Sequence, residues 1–396
     1  MSTADFHKFT EALSKPGADL AAPLPPVQNV TVLGGGLDAR ALACLCLSEG
    51  ANVTLFSAYG AELKPLSAAG SITLKGAGPA GTYQIDQEAV PSINLSSELD
   101  AAVAEAEVIF VTGPVLKQRT YSMVLAGHLK DGQIVVLAPG RTFGAVEMAW
   151  YLRVGGNQAS VTIVEPLCLP YWTAQDGSAI HLSAANPALA GVLPSRNARV
   201  LEALKPYLPN LVPAANIVQS SFADASGFIE TPALLLGGPA MPGGVPELPP
   251  GAQALPERDT FRNLIGDNHR AVMRAQAAER RHVAARWGVR NIPENVDLFN
   301  LYAGAESGDG ARPVPSAEQA TEMIRCAVIG SLVPFASAAS LTGVSVPVTQ
   351  SMISLACTVL GSDLLNAGRR LDGIGLAAGE LDDARRTLDA IAEGAG

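Results

Sequence analysis

The sequence predicts an α/β Rossmann domain followed by an all-α domain. A β-branched strand at residues 30–33 runs directly into a glycine cluster at 34–36. Short apolar segments then alternate with helical ones up to about residue 165, a pattern typical of a parallel sheet covered on both faces. After residue 215 strand-like runs become rare, and alanine- and leucine-rich helical segments replace them. We therefore expect a polar extension over 1–27, a dinucleotide-binding domain over 28–214, and a helical domain for substrate binding or dimerisation over 215–396.

The glycine cluster is the most informative motif. In dinucleotide-binding βαβ units the first glycine makes a tight turn, the second lets the backbone approach a pyrophosphate, and a third small residue allows close helix–strand packing. Gly34, Gly36 and Ala39 occupy these three positions. The helix that follows presents free N–H groups to the phosphates. The cofactor contacts predicted for this loop are Gly34, Gly35, Gly36, Leu37, Asp38 and Ala39.

The remaining elements follow from apolar runs and helical periods. Further strands are expected at 52–56, 71–75, 108–112, 134–137 and 161–164. Helices are expected between them at 39–49, 97–106, 116–128 and 143–154, and in the second half at 263–287, 317–339, 348–365 and 381–391. Two Gly/Pro-rich loops are expected at 238–257 and 303–315.

The end of the second strand bears on the choice of cofactor. An acidic residue there would bind the ribose hydroxyls of NAD and repel the 2′-phosphate of NADP. The strand ends at Phe56, with no carboxylate at its tip, and Ser57 could donate to a phosphate with Arg40 and Lys64 nearby. The sequence therefore slightly favours NADP and leaves NAD open.

Two later strand ends should face the same ligand, because ligands of open α/β sheets lie outside the carboxyl ends of the strands. Thr142 is expected to cap the helix that starts at Phe143. Arg141 is expected either to bind a substrate carboxylate or to shape the turn. The cofactor contacts predicted at the ends of strands two, four and five are Ser57, Thr112, Gly113, Pro114, Pro139 and Gly140.

Composition narrows the class of partner. A net charge of −10 and a pI near 5.1 argue against nucleic acid and anionic membranes, so a small molecule is the expected partner. The longest apolar run, 323–339, contains Arg325 and Pro334 and favours a buried helix over a membrane span. Five cysteines without metal-type spacing, and no apolar signal segment, predict a cytoplasmic protein. The alanine-rich helices leave both a monomer and a homodimer open.

Several segments resemble the octopine/nopaline-type opine dehydrogenases, two-domain reductases related to 6-phosphogluconate dehydrogenase. The resemblance rests on the strand, turn and helix of 129–147, the strand-like 164–171, and the ordered motifs of 343–348, 360–364 and 368–376. It extends over roughly residues 28–385. It implies a Rossmann domain followed by a helical substrate domain. It also implies reductive joining of an amino acid to an α-keto acid, with hydride from NADH or NADPH reducing the imine.

The chain departs from this family where the substrate domain opens. Counted back from residues 235–236, Glu230 stands at the position of the family's acid/base histidine, and Asp224 and Gly237 stand at its asparagine positions. The histidine's acidic partner is also missing, at 326–329. None of the five histidines falls at the expected place; they are His7, His128, His181, His269 and His282.

Glu230, Asp224 and Thr231 are therefore the catalytic candidates. Glu230 could protonate the product if burial raised its pKa; Asp224 and Glu230 could instead hold a cation or divalent metal, or Glu230 could simply cap a buried helix start. An additional carboxylate would repel an anionic keto acid, so a cationic or neutral substrate is expected.

Three functions remain open from the sequence. The first is an opine dehydrogenase-like NAD(P)-dependent oxidoreductase that reduces a C=N or C=O bond of a small substrate derived from an amino or keto acid, in a specialised pathway. The second is an enzyme like ketol-acid reductoisomerase or ketopantoate reductase, with Mg²⁺ held by carboxylates such as Asp224, Glu230, Glu318 and Glu322. The third is a nucleotide-binding protein without catalysis.

Overall fold

The computed structural model describes residues 26–236, 260–376 and 380–393. Twelve strands in this part of the chain form one sheet, in the order β12-β11-β8-β7-β6-β1-β2-β5-β4-β3-β10-β9. In chain order the strands β1 to β12 are Asn29–Leu33, Asn52–Phe56, Ser71–Gly76, Gly81–Ile85, Ser92–Ser96, Val108–Thr112, Ile134–Ala138, Thr162–Pro166, Tyr171–Asp176, Ala179–Ala184, Ala188–Leu193 and Leu211–Pro213.

The central strands are parallel, as the alternating pattern predicts. Val30 of β1 is in register with Val53 of β2 and Val108 of β6, and β6, β7 and β8 continue the parallel series. Antiparallel pairs appear toward the edges, between β3 and β4, β9 and β10, and β8 and β11. All six predicted strands are present, and the Rossmann-plus-helical fold class is confirmed.

Six strands were not predicted: β4, β5 and β9 to β12. Strands β4, β5 and β9 are mixed in polarity and partly exposed, so they lack the continuous apolar run of a buried parallel strand. Strand β11 is apolar and buried and was missed although it carried that signal. The β9–β10 hairpin did carry one signal that could have revealed it. Gly177-Ser178 is the two-residue turn between the paired residues Asp176 and Ala179, and Gly177 has a φ of +59°.

The helices, numbered in chain order, include several short turns in the first half. Helices α1 to α7 are Leu37–Ser48, Gly60–Ala69, Leu99–Val103, Val115–Leu125, Gly144–Val154, Val200–Leu204 and Ile217–Ala223. Helices α8 to α15 are Ser226–Leu235, Asp267–Arg286, Asn295–Ala303, Ala317–Ala327, Val333–Ser340, Pro347–Leu360, Leu364–Ala367 and Leu381–Glu393.

Described residues after Pro213 form only helices and loops, and the division into 28–214 and 215–396 stays a proposal. The predicted loop at 303–315 contains only the 3₁₀ turn Gly308–Gly310. The predicted loop at 238–257 and nearly all of the extension at 1–27 lie outside the described residues.

The helical half is organised around α8, every residue of which is buried. A π-helical turn, Val328–Leu332, joins α11 to α12. Together they form the segment Ala317–Ser340, which has the length and hydropathy of a membrane span, yet 72% of its apolar window is buried inside the protein. This burial fits the predicted core helix.

Aromatic contacts connect the two halves of the fold. Phe143, at the start of α5, packs at 5.7 Å from Phe222 of α7 and 6.0 Å from Trp287 at the end of α9, measured between ring centroids.

Phe143 has a left-handed backbone (φ +58°) and is itself the residue before the first helical turn. The prediction that Thr142 caps this helix is wrong, because its hydroxyl donates to Asp224 instead.

Candidate functional site

The glycine loop between β1 and α1 is shaped for close approach of a ligand. Gly34 has a φ of +126°, and a Cβ there would lie 2.3 Å from the Thr112 Oγ1, which itself donates to the Leu33 carbonyl. Gly36 precedes the first turn of α1, and a Cβ on it would meet open space. Ala39 is fully buried. The turn and the free helix N-terminus therefore fit a dinucleotide pyrophosphate.

A carboxylate does lie at the tip of β2, contrary to the prediction from the strand sequence. Glu62, from the first turn of α2, accepts a hydrogen bond from the Ser57 hydroxyl at 2.6 Å and pairs with Lys117 at 2.9 Å. It also lies against the glycine loop, since a Cβ on Gly35 would approach its Oε2 to 2.5 Å. Partial burial opposes the charge, but the bonds from Ser57 and Lys117 lower the pKa of Glu62 overall.

The ends of β6 and β7 are joined by one side chain. The Gln118 amide donates to the carbonyls of Gly113 and Pro139, at 3.2 and 3.0 Å. Pro114 is the residue before α4. Gly140, predicted to contact the cofactor, faces inward instead, because a Cβ there would lie 2.3 Å from the Glu165 Cγ.

A cleft of about 320 Å³ lies where these strand ends meet the helical half. It brings together predicted residues from both halves of the fold, including Asp38, Gly113, Pro139, Arg141 and Glu230. Glu322, predicted only as a possible Mg²⁺ ligand, also lines it, and so do residues that were not predicted: Gln118, Trp172, Thr173, Arg312, Gln319, Met323 and Cys326.

Glu230 lies between two arginines. Its Oε1 accepts from Arg312 at 2.7 Å, and its Oε2 faces Arg141 at 3.4 Å. All three side chains are at most 12% exposed. Two guanidinium groups facing one buried carboxylate stabilise the anion, an arrangement unsuited to a proton donor. The hypothesis that Glu230 is a neutral general acid is therefore not supported by its contacts.

Arg312 is held rigidly. Its guanidinium carbon lies 4.0 Å from the Trp172 ring centroid and 4.3 Å from that of Phe261, and it also donates to the Tyr302 carbonyl. Such stacking between two aromatic rings restricts the planar group to one orientation.

Arg141 is positioned by backbone geometry. It adopts a left-handed conformation (φ +62°), and its guanidinium donates to the Ser226 hydroxyl at 2.7 Å. The π turn leaves room for it, since a Cβ on Gly330 would come within 2.8 Å of the Arg141 Cδ. The side chain therefore points toward Glu230 and the cleft rather than only shaping the turn.

Asp224 is enclosed by donors. It accepts from the hydroxyls of Thr142, Ser226, Ser331 and Tyr302, at 2.6 to 3.1 Å, and from the Ser226 backbone N–H. It is 1% exposed. Burial and the Asp224 charge raise the pKa of the Tyr302 hydroxyl well above its usual value. With its acceptor capacity filled, Asp224 anchors the site.

The Mg²⁺ alternative finds no suitable donor set. Asp224 is saturated by hydroxyl donors and Glu230 by arginines, while Glu322 pairs with Arg325 and Glu318 is exposed. Within the described ranges, no group of three or more His, Cys, Asp or Glu residues is arranged to hold a metal.

Two other predictions concern residues away from the cleft. The Thr231 hydroxyl donates to the Gly227 carbonyl within α8, so nothing directs it toward a ligand. The four described histidines line neither the cleft nor the smaller pocket beneath it. No histidine among the described residues has taken over the missing acid/base role.

Asp38, in the first turn of α1, lies in the cleft beside these groups. It accepts from the Thr173 hydroxyl at 2.6 Å, and burial raises the pKa of its carboxyl. Two residues of β9 therefore contact both groups. Thr173 bonds Asp38 of α1, and Trp172 stacks on Arg312, which pairs with Glu230.

Glu165 allows a test of the buried electrostatics beneath the cleft. Its carboxyl is fully buried and accepts from the Ala145 N–H at 2.7 Å. Burial raises the pKa to about 8 despite that hydrogen bond. Because the folded protein then retains a proton that the unfolded chain loses near pH 4.5, the contribution of Glu165 to stability is largest below pH 4.5 and declines up to about pH 8.

As the pH rises from about 5.5 to 8, we expect the difference in free energy of unfolding, Glu165→Gln minus the natural protein, to increase by more than about 1.4 kcal/mol. Urea titrations of both proteins across that range measure this difference. Parallel stability curves for the two proteins would contradict the assigned protonation.

Comparison with known proteins agrees with this geometry. No family model matches the sequence. An opine dehydrogenase of Arthrobacter sp. (strain 1C) is 23% identical over 363 residues, which cover 88% of this chain and 96% of that protein. An octopine dehydrogenase solved with NADH and agmatine superimposes with a TM-score of 0.66 at 17% identity, over 93% of this chain and 98% of that one. A yersinopine dehydrogenase solved with NADP⁺ gives 0.57 at 14% identity, over 93% and 98%.

The resemblance drawn from the motifs at 129–147, 164–171 and 343–376 is thus confirmed by two independent measures, one over the whole sequence and one over the whole fold. The chain is thus similar in sequence to an opine dehydrogenase and shares the two-domain fold of a solved octopine dehydrogenase.

Proposed function

We propose that this protein is an NAD(P)-dependent oxidoreductase that reduces the C=N bond formed between an α-keto acid and an amine. The observation that carries the proposal is the Arg141–Glu230–Arg312 cluster, which lies in the cleft between the nucleotide-binding strand ends and α8. Homology to an opine dehydrogenase supports the same reaction class.

The residues that would hold the cofactor lie on one edge of the sheet. The loop Gly34–Gly36 and the N-terminus of α1 fit the pyrophosphate, and Gly113, Pro114 and Pro139 border the route into the cleft. When bound, the nicotinamide supplies the hydride. The chain's own contribution is to orient the acceptor carbon toward that edge and to bind the charges of the substrate.

The cluster has a net charge of +1, from two arginines and one carboxylate. Asp38 and Glu322 also line the cleft, so the donors left on Arg141 and Arg312, rather than the net charge of the cleft, suit a carboxylate substrate. This reverses the sequence-based expectation of a cationic or neutral substrate, which treated Glu230 as an unpaired charge. The keto acid carboxylate is the group we assign to these arginines.

Reduction of a protonated imine also suits a cleft that lacks the family's histidine. The keto acid and amine condense with loss of water, hydride adds to the carbon, and the nitrogen keeps the proton it already carries. Reduction of a C=O bond instead leaves an alkoxide that needs a proton donor. The negative charge of Glu230, fixed by its arginines, stabilises a cationic C=N group nearby.

Absorbance of the reduced cofactor tests this function. We expect oxidation of NADH or NADPH when a keto acid and an amino acid are supplied together, and little with either alone. Equal rates with the keto acid alone would make the protein a carbonyl reductase. Absence of binding to both reduced cofactors, measured by nicotinamide fluorescence, would overturn the redox function itself.

Glu62 makes NADH the cofactor that we propose. Its ionised carboxylate at the tip of β2 suits a ribose diol and repels a 2′-phosphate, while Lys117 is already paired with it. Glu62→Gln should shift the ratio of kcat/KM for NADPH over NADH upward by at least roughly 10-fold. Glu98→Gln is the matched control at an exposed acid of the same domain. An unchanged ratio in Glu62→Gln would remove Glu62 from cofactor selection.

The other expectations from the sequence stay predictions: a cytoplasmic location, a role in a specialised pathway, and a homodimer formed through the helical half.

A further inference from the structure

A second cavity lies in the helical half, on the other side of α8 from the active cleft. Its volume is about 240 Å³, and it is enclosed by α8, α9 and α10. Ser226 and Glu230 of α8 face the cleft side, whereas Phe228 and Ile229 face this cavity. Met273, Leu298 and Phe299 complete an apolar wall. The helix backbone thus separates the two spaces.

One wall of this cavity carries a buried cation. Arg280 is 2% exposed, and among the described residues no carboxylate lies within ion-pair distance of it. Its terminal nitrogens reach only the Ala223 carbonyl and the Asn295 side chain, both at 3.3 Å, and its Nε has no partner. The neighbouring acid, Glu279, is bound to the N-terminus of α13. Burial lowers the pKa of Arg280 to about 10.

More positive charge surrounds the cavity. Two further arginines line the cavity from the same face of α9 as Arg280. They are Arg270 and Arg274. Arg270 stacks on Phe299 at 5.1 Å, and Arg274 is exposed. Among the described residues, the cavity is lined by apolar groups, Asn295 and three arginines and by no acid, which complements a molecule that has an apolar body and a negative group.

We propose that this cavity is a binding site for a small carboxylate with an aromatic or branched apolar body. The carboxylate pairs with the Arg280 guanidinium, and the apolar body packs between Phe228 and Phe299. Asp224 stabilises the Arg280 charge through space but forms no ion pair with it, so an anion in direct contact with this buried guanidinium gains more than it would at the surface. The volume exceeds the roughly 150 Å³ that accommodates benzene in an engineered protein cavity, which leaves room for a ring with a short acidic chain.

Calorimetric titration of the full-length protein with 3-phenylpropanoate tests this site. We expect one binding site per chain, with 3-phenylpropanamide, the neutral analogue, at least roughly 10-fold weaker. Arg280→Met should weaken carboxylate binding by a similar factor. Arg281→Gln removes an exposed charge from the next position on α9 and should leave the affinity unchanged.

Val296→Trp provides a second test that does not alter a buried group. Val296 lines the cavity and is 62% exposed, so a tryptophan there should fill the entrance and abolish binding while NADH affinity stays unchanged. No binding of the carboxylate to the natural protein, equal binding of the amide, or full binding by Val296→Trp would each overturn the proposal. None of these results depends on turnover, so the proposed redox function stands or falls separately.

Discussion

Arg312→Leu should lower kcat/KM for the keto acid by roughly 100- to 1,000-fold, because it removes half of the charge that binds the substrate carboxylate and leaves Glu230 with one distant partner. The natural side chain is stacked between Trp172 and Phe261, so no neighbouring cation can replace it. Steady-state kinetics with the keto acid varied at saturating NADH and amine measure the change. Arg153→Leu, at an exposed position on α5, is the matched control.

Arg312→Lys separates charge from geometry. Lysine keeps the positive charge but not the planar group that stacks and donates to both Glu230 and the Tyr302 carbonyl. We expect it to recover only part of the activity. The double variant Arg312→Leu with Glu230→Gln should regain thermal stability over Arg312→Leu, since the stranded carboxylate is gone, without regaining kcat/KM. Normal kinetics in a destabilised Arg312→Leu would show that the arginine has only a structural role.

The nucleotide-binding half was largely predictable because its signals are local. A β-branched run, a glycine turn and a helix at 30–49 specify one βαβ unit, and each later strand is a continuous apolar segment. The edge strand β9 is partly exposed and therefore lacks that signal. The same limit applies to Glu62, which follows β2 by six residues and reaches its tip only through the turn into α2.

The active cleft was predictable only in part, because its contacts span long stretches of sequence. Arg141 and Glu230 were both singled out, but their pairing across 89 positions depends on the folded arrangement of α8. Arg312 lies in a Gly/Pro-rich loop with no periodicity to mark it as buried. Asp224 was interpreted as catalytic because it is acidic; its four side-chain donors, from Thr142, Ser226, Tyr302 and Ser331, reveal an anchor.

Arg369→Met should destabilise the protein by at least about 1.5–3 kcal/mol, the usual contribution of hydrogen bonds to a charged group, while Glu147 keeps Arg119 as its remaining partner. Arg369 is 1% exposed and pairs with Glu147 of α5 at 2.8 Å. It also donates to the carbonyls of Gly140, Thr142 and Gly330, which join the turn before α5 to the π turn. Urea unfolding monitored by tryptophan fluorescence measures the loss.

The position of Arg369 adds a functional consequence to this loss of stability. It connects the helical half to the turn that carries Arg141, so its removal should loosen the substrate arginine while leaving the glycine loop intact. KM for the keto acid should therefore rise, with little change in the Kd for NADH. Glu147→Gln keeps the hydrogen-bonding shape and the carbonyl contacts of Arg369, but it leaves Arg369 and Arg119 without their counter-charge, so it should also destabilise the protein. If both variants unfolded at the same urea concentration as the natural protein, the buried pair would not hold the two halves together. The orientation of Arg141 would then depend on its left-handed backbone and its bond to Ser226 alone.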